Sequence, residues 1–295
     1  MGAIPGEDVF AVGGLLRTLQ QVHDTLWQRL VPGRQTSPQF AVLHRLSLRP
    51  GIDQRTLGAA LSLDKATVAE LVARMELMDI VGRERTAGDG RRNALHLTSA
   101  GKAAFLSSAP WVAQVQLRLA EPLSEDERQH FLCLMRTVTG IEADTAPAAG
   151  RAPGLVGLPA DPARIPGHLI RVAQQLHTRY WTETVGTRPT SPQYGVLYRL
   201  TREPGIDQTT LADRVSLAKA PTGEIVRRLI DRGEVRREGD PADGRRKLLT
   251  LTDTGLRAVH DAMPAVLHVQ RRLTERLTAD ERDELLALLR RMSTV

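Results

Sequence analysis

Aromatic residues and cysteines are scarce in this sequence. Phe, Trp and Tyr together make up 3% of its 295 residues, too few for the stacking platforms that bind single-stranded nucleic acid. The single cysteine, Cys133, excludes an internal disulfide and a cysteine-based zinc site. Because its neighbours are apolar and no second cysteine could resolve it, we expect Cys133 to be a buried packing residue rather than a thiol sensor. We expect no metal ion and no cofactor.

Long apolar runs are missing as well. No stretch approaches the roughly 20 residues of a membrane-spanning helix, and "MGAIPGEDVF" has acids where a secretion signal would have Lys or Arg. The sequence therefore predicts a cytoplasmic protein with no membrane partner. It also lacks a glycine-rich phosphate loop, a His-Glu-x-x-His motif and a nucleophile elbow, so we expect no enzyme activity and no catalytic residues.

Basic residues, by contrast, are in excess. The formal net charge is +6, and hydrophobic residues make up 41% of the chain. That hydrophobic share is enough for a packed core. A positive surface on a packed protein is typical of binding to a polyanion, with nucleic acid ahead of an anionic membrane.

The chain also repeats itself. Shifted by 154 residues it overlays itself without a gap, so that "TSPQFAVLHRL" (Thr36–Leu46) meets "TSPQYGVLYRL" (Thr190–Leu200). Roughly 45% of the aligned positions are identical, which makes the repeat unit a domain. We predict one domain over residues 8–140 and a second over 163–295. The Ala-, Pro- and Gly-rich segment 141–162 is predicted as a linker with a span of about 25 Å.

Hydrophobic periodicity predicts the same elements in each copy: four helices, a hairpin and two more helices. In the first copy we expect helices over Val9–Val31, from the N-cap Ser37 to about Leu48, and over Gln54–Leu61. The fourth helix and the hairpin should bury Val68, Leu71, Val72, Met75, Leu95 and Leu97. Capping boxes predict where the last helices begin: Ser124 with Glu127, and Thr278 with Glu281.

Both hairpins carry the same signature, Asp-x-Arg, five residues, Leu-Thr, two residues, Gly. It reads Asp89, Arg91, Leu97, Thr98, Gly101, and again Asp243, Arg245, Leu251, Thr252, Gly255. A short helix, a tight turn, a second helix and a basic hairpin describe a winged helix-turn-helix. On these motifs the sequence resembles the MarR (multiple-antibiotic-resistance regulator) family. The resemblance implies a mainly α fold with small β-hairpins, in which two winged helix-turn-helix domains join through a shared helical layer as a single-chain pseudo-dimer.

The fourth helix and the hairpin of each copy are the predicted DNA interface. Small outward residues let a helix approach the major groove closely, and arginines at a hairpin tip suit the minor groove. Asp89 is expected to orient Arg91. The predicted contacts in the first copy are Ser62, Lys65, Ala66, Thr67, Ala69, Glu70, Arg83, Arg85, Asp89, Arg91 and Arg92. Those in the second copy are Ser216, Lys219, Ala220, Thr222, Gly223, Glu224, Arg236, Arg237, Asp243, Arg245 and Arg246.

Histidines and tryptophans one helical turn apart on the first helix of each copy suggest a ligand pocket. The resemblance implies an effector site between the helical layer and the winged domain. The predicted lining is His23, Trp27, Phe40, His44, Trp111, His177, Trp181, Tyr194 and Tyr198. An ordinary core is the alternative, because mixed aromatic and apolar packing is also what cores contain.

These features predict a ligand-responsive, sequence-specific DNA-binding transcriptional regulator, in the form of a repressor released by a small apolar effector. Its fourth helices would enter successive major grooves about 34 Å apart, at two half-sites that need not be alike. Two alternatives stay open. Glu70 and Glu224, where the family often has Arg, and Pro221 motivate a small-molecule binding or protein-interaction module that has lost specific DNA binding. The other is a nonspecific architectural DNA binder.

Overall fold

Helices dominate both copies, in the predicted order. The computed structural model describes residues 11–33, 35–85, 93–142, 158–159, 161–215, 217, 219–240, 243 and 246–294. The first copy contains α1 Ala11–Leu30, α2 Ser37–Leu48, α3 Gln54–Leu61, α4 Lys65–Leu77, β1 Val81–Arg85, β2 Asn93–Leu97, α5 Ser99–Leu119 and α6 Glu125–Thr139. The second contains α7 Pro166–Thr184, α8 Ser191–Arg202, β3 Ile206–Asp207, α9 Gln208–Arg214, α10 Lys219–Asp231, β4 Val235–Gly239, β5 Lys247–Leu251, α11 Asp253–Leu273 and α12 Ala279–Met292.

Side-chain caps fix where many of these helices begin. The predicted capping boxes at Ser124 and Thr278 are confirmed. The N-cap of α2 is Thr36 rather than the predicted Ser37: its hydroxyl accepts from the Gln39 backbone N–H, and the Gln39 side chain accepts from the Thr36 N–H. A cap of this kind contributes about 1 kcal/mol by satisfying N–H groups that the helix cannot.

Each copy carries one antiparallel hairpin. β1 pairs with β2 so that Val81 faces Leu97, and β4 pairs with β5 so that Val235 faces Leu251. The second hairpin gains a short third strand, β3, on β5. In the first copy the equivalent residues, Ile52 and Leu95, form an isolated antiparallel β-bridge.

The chain divides into two compact units, and each draws on both copies. The second-copy unit holds the described part of residues 1–20 together with 137–139 and 173–294. The first-copy unit holds the described part of 21–136 and 140–172. The helices α1 and α7 therefore each contribute their first turns to one unit and the remainder to the other. The predicted domain limits, which ran along the sequence, remain a prediction.

Each unit has its own hydrophobic core. The predicted stripe of α4 is confirmed, with Val68, Val72 and Met75 buried and Leu71 packed against them. Leu95 and Leu97 of the hairpin join the same cluster. Fully burying one such side chain contributes about 1.5–3 kcal/mol. In the second-copy unit the equivalent cluster includes Val226, Leu229 and Leu249.

Cys133 is not a core residue. It is exposed on α6, although Leu132 and Leu134 on either side of it are buried. Successive residues of a helix point about 100° apart, so apolar neighbours in sequence do not bury the residue between them. The predicted packing role for Cys133 is therefore wrong. Across the parts of the chain that the structure describes, no helix is both long and apolar enough to cross a bilayer.

Candidate functional site

The helix α4 presents the surface predicted for it. Lys65, Ala66, Thr67 and Glu70 are exposed, and Ala69 is half-buried beside them. Asp64 caps the helix: its carboxylate accepts from the Thr67 N–H at 2.9 Å and from the Thr67 hydroxyl at 2.6 Å. These hydrogen bonds lower the pKa of Asp64. Since the Thr67 hydroxyl already donates to Asp64, what it offers outward is a methyl group and a lone pair. Ser62, the left-handed C-cap of α3, is half-buried at the turn before α4.

The helix α10 offers the equivalent surface with one correction. Ala220 and Glu224 are exposed, and Gly223 is half-buried. Pro221 lies in the first turn, because the helix begins at Lys219, and proline is tolerated there. Thr222, however, is 0% exposed. It occupies the position of the core residue Val68, so the prediction that Thr222 contacts DNA is wrong.

Two predicted residues near this helix are not fully described. The backbone of Lys219 is placed as the first residue of α10, and its side chain lies outside the described residues. Ser216 lies outside them altogether.

Arginines on the same helices pair with Glu70 and Glu224, the two glutamates of the predicted DNA surfaces. Glu70 accepts from Arg74 at 2.7 Å, one turn further along α4. Glu224 accepts from Arg227 and Arg228, both at 2.9 Å, and these hydrogen bonds lower its pKa. All these groups are exposed, so each pair contributes little to stability. The glutamates therefore do not add an unpaired negative charge to the predicted DNA surface.

The second half of the hairpin signature, Leu-Thr-x-x-Gly, has a structural role. The Thr98 hydroxyl accepts from the Gly101 N–H at 3.0 Å and donates to the Asp79 carbonyl. A Cβ on Gly101 would lie 2.0 Å from the carbonyl oxygen of Ile80, so only glycine fits. Thr252 and Gly255 repeat the arrangement in the second copy. This half of the motif therefore lets the long helix after the hairpin pack closely against the residue that precedes the first strand, which is Ile80 in the first copy and Glu234 in the second.

Most of the first half of the signature lies outside the described residues, namely Asp89, Arg91 and Arg245. The neighbouring Arg92 also lies outside them, and of Arg85 only the backbone, in β1, is described. The predicted bond from Asp89 to Arg91 therefore stays a prediction.

Arg246, which is described, ties the hairpin to the helix-turn-helix. Its guanidinium donates to Asp207 at 2.8 Å and lies 3.7 Å from Asp240. Asp207 is the N-cap of α9 and also accepts the backbone N–H groups of Thr209 and Thr210. Hydrogen bonds, from Thr210 first and then from Arg246, hold the pKa of Asp207 well below its usual range. The exposed Asp243 accepts the Arg246 backbone N–H through its own carbonyl.

The predicted phosphate contacts on the first strands are exposed but paired within the fold. Arg83 donates to Glu76 and to Gln54. Arg237, its equivalent, donates to Gln208 at 2.7 Å. Arg236 donates to the Thr250 hydroxyl at 2.8 Å. These bonds connect each hairpin to the helix-turn-helix before it or to its own partner strand. DNA contact by these arginines remains a prediction.

The predicted ligand residues of the second copy line a cavity. In the second-copy unit His177, Trp181, Tyr194 and Tyr198 surround a space of about 220 Å³, open on one side. That is room for about seven water molecules, or a single-ring compound. His177 is buried, and its pKa is lowered to about 4 by burial and by Arg17, which leaves it uncharged at neutral pH.

Arg17 gives this cavity its charge. It comes from α1 and donates to the Ser191 hydroxyl at 3.1 Å, while its buried Nε has no hydrogen-bond partner among the described residues. Burial lowers its pKa to about 10, so it stays protonated. Arg199, Arg214 and Arg290 also line the cavity, and no Asp or Glu does among its described lining residues. Such a lining suits an anionic group attached to a ring.

The first-copy unit has the equivalent cavity, but it is much smaller. His23, Trp27, Phe40 and His44 line it, and its volume is about 40 Å³, the space of about one water molecule. Arg171, the counterpart of Arg17, also lines it. The rings pack on one another, with Phe40 stacked on His44 at a centroid distance of 6.1 Å.

Trp111 lies elsewhere. It is 46% exposed on α5 and lines neither cavity, so the structure does not bring it together with the other predicted ligand residues. Sequence reasoning missed Arg17 and Arg171, which the fold places in the two cavities. One signal was available: both copies keep an arginine at this position of an otherwise apolar helix face, between Leu16 and Leu19 in the first copy and Ile170 and Ala173 in the second.

Comparisons with known proteins find relatives for both copies. MarR family models match residues 35–92 and 190–247. The chain is 38% identical to the transcriptional regulator HosA of Escherichia coli over 121 residues, which span 41% of this chain and 89% of HosA. It is 31% identical to the HTH-type transcriptional repressor NicR of Pseudomonas putida, over 42% of this chain and 80% of NicR. A crystal structure of the PcaV transcriptional regulator from Streptomyces coelicolor with its natural ligand matches 44% of this chain and 92% of PcaV. The sequence identity is 42% and the TM-score is 0.43.

Proposed function

The chain belongs to the MarR family, and we propose on that premise that it is a ligand-responsive, sequence-specific DNA-binding regulator. We propose further that it is cytoplasmic and represses transcription. The observation that carries the proposal is the pair of matched helix surfaces, α4 and α10, each followed by a basic hairpin in one chain. The relatives named above are transcriptional regulators, one of them a repressor. Each relative matches the length of one copy. This single chain would therefore carry the two DNA-binding surfaces that two such proteins supply.

On DNA, each helix surface would enter a major groove, and each hairpin the adjoining minor groove. Small residues, Ala66 and Ala69 in α4 and Ala220 and Gly223 in α10, permit the close approach that base reading requires. The two surfaces differ in sequence, since Thr67 is replaced by Pro221. We therefore expect an operator with two related but unlike half-sites, about one helical turn apart.

The hairpin arginines test this proposal. Arg91→Ala and Arg245→Ala should each weaken binding to every operator sequence by about tenfold, because a charge-assisted contact to the backbone or minor groove is lost. The slope of log affinity against log salt concentration should become shallower by about one for each arginine removed. A mobility-shift titration against the protein's own upstream region, at several salt concentrations, measures both.

Arg118→Ala is the matched control. Arg118 is an exposed arginine of α5 that pairs with Glu121 at 3.1 Å and belongs to neither hairpin. It should leave affinity and salt slope unchanged. Equal affinity of wild type and both hairpin variants would contradict the assignment of the hairpins to DNA.

The effector would bind in the cavity beside Arg17. The sequence suggested a small apolar effector; the charge of this cavity adds an anionic group to that description. An aromatic carboxylate satisfies both the ring-lined wall and the arginine. Its binding would favour a conformation that fits the operator less well and so release DNA.

The module without specific DNA binding is the second candidate. The observation that favours it is that Arg83, Arg236, Arg237 and Arg246 are already bonded within the fold. Under this reading benzoate would bind while no duplex is preferred over a scrambled one at physiological salt. The same mobility shift, run with a scrambled competitor, separates the two candidates.

A further inference from the structure

The outward faces of α4 and α10 differ along their centre lines. Residues four, seven and eleven positions after a given residue lie on the same side of a helix. On the outward side of α4 these residues are Ala66, Glu70, Ala73 and Leu77, and on that of α10 they are Ala220, Glu224, Arg227 and Asp231. All of them are exposed. The last two positions are therefore alkyl in α4 and charged in α10.

Two carboxylates of the same helix hold Arg227. Its Nε and Nη2 donate to Glu224 at 3.4 and 2.9 Å, and its Nη1 donates to Asp231 at 3.4 Å. Glu224 lies one turn before Arg227 and Asp231 one turn after it, so the guanidinium is held along the centre of the face. The side chain is still 62% exposed, which leaves it open to a partner that approaches this side of the helix.

The remaining donors of Arg227 match one base. A guanidinium has five N–H groups. Glu224 accepts two of them and Asp231 accepts one, so one N–H remains on each terminal nitrogen. Two adjacent donors fit the N7 and O6 acceptors that guanine presents in the major groove. Adenine presents a donor in place of O6, so this pair of N–H groups distinguishes the two purines.

The helix α4 has no donor at the equivalent position. Ala73 takes the place of Arg227. One turn further, Leu77 takes the place of Asp231 and is 90% exposed. The arginine of α4, Arg74, lies about 100° further round the helix than Ala73. Alkyl groups at the centre of a helix face can contact a thymine methyl group, but they cannot donate to guanine.

We propose that Arg227 donates to N7 and O6 of a guanine in the half-site of α10, and that Glu224 and Asp231 are positioning residues for this contact. The equivalent base pair in the half-site of α4 has no requirement for guanine. The inference rests on the proposed function, because it assumes that both helix surfaces enter major grooves. It identifies one chemical difference between the two unlike half-sites.

Base replacement in a selected operator tests this contact, with each guanine of the duplex replaced in turn. For the wild type, adenine at the guanine bound by Arg227 should weaken binding about 10- to 100-fold. At the same guanine, 7-deazaguanine, which lacks the N7 acceptor, should weaken binding about tenfold. In Arg227→Ala both losses should shrink to within about twofold, because the donors are gone. Fluorescence anisotropy titrations measure each affinity.

Two further variants separate base recognition from charge and from structure. Arg228 also bonds to Glu224, at 2.9 Å, but lies off the centre of the face. Arg228→Ala should therefore keep every base preference. Glu224→Gln should reduce the preference for guanine without weakening the affinity for a scrambled duplex, because it removes a negative charge from the DNA surface. A purely structural role of Glu224 would instead lower both affinities alike.

The outcomes distinguish this inference from the proposed function. A wild type that prefers one operator, with all base preferences kept in Arg227→Ala, would overturn the inference and leave the proposed function intact. A wild type that prefers no duplex over a scrambled one at physiological salt would overturn both. A guanine preference lost in Arg227→Ala and kept in Arg228→Ala is the result we expect.

Discussion

Arg17→Met should weaken the response to an aromatic acid about 100-fold while leaving operator binding intact. In the wild type the buried guanidinium would supply a charge-assisted hydrogen bond to the carboxylate. Truncating one partner of such a pair costs about 2–5 kcal/mol. At about 3 kcal/mol, the acid concentration that releases DNA should rise about 100-fold. A mobility-shift titration with benzoate measures the change.

An uncharged analogue provides the control for this result. Benzamide has the ring of benzoate without the negative charge, so the wild type should need about 100-fold more of it. In Arg17→Met that preference should disappear. If the variant still prefers benzoate to benzamide, the anion is held by another group, and the role assigned to Arg17 is wrong.

Gly255→Ala should strongly destabilise the second-copy unit. A Cβ at this position would lie 2.0 Å from the carbonyl oxygen of Glu234, which is backbone and cannot rotate away. The same residue donates its N–H to the Thr252 cap, so moving the helix would break that bond too. Overpacking of this kind costs about 3 kcal/mol or more. The melting midpoint of that unit should fall by about 10 °C.

Thr254→Ala is the neighbouring control for this change. Thr254 is exposed at the first turn of α11, and its replacement by alanine should alter stability by no more than about 0.5 kcal/mol. Differential scanning calorimetry resolves the transitions of both variants. A Gly255→Ala protein that melts like the wild type would show that the glycine of the signature is not required for this close approach.

The sequence was sufficient for the elements of the fold, because hydrophobic period, caps and turns are local properties. The stripe of α4, the hairpin leucines and the two capping boxes at Ser124 and Thr278 were all predictable in this way. The error at Cys133 has a simple cause. Its burial was predicted from its neighbours in sequence, whereas the helical rotation of about 100° per residue decides which side chain faces the core.

The cavities required the structure. The aromatic and histidine lining was visible as a spacing pattern, but Arg17 meets Ser191 across 174 residues of chain. A pattern within one helix cannot show such a contact. The filling of the first-copy cavity was hidden for the same reason, since residues 158–159 and 162 belonged to the predicted linker and yet are packed against His44 and the core around it.

Selection of bound duplexes from a random pool tests the central claim most directly, if the mass of each selected complex is also determined. The account predicts two related but unlike half-sites, about one helical turn apart, bound by a single chain per duplex. Recovery of one isolated half-site, or of no preferred sequence at physiological salt, would contradict it.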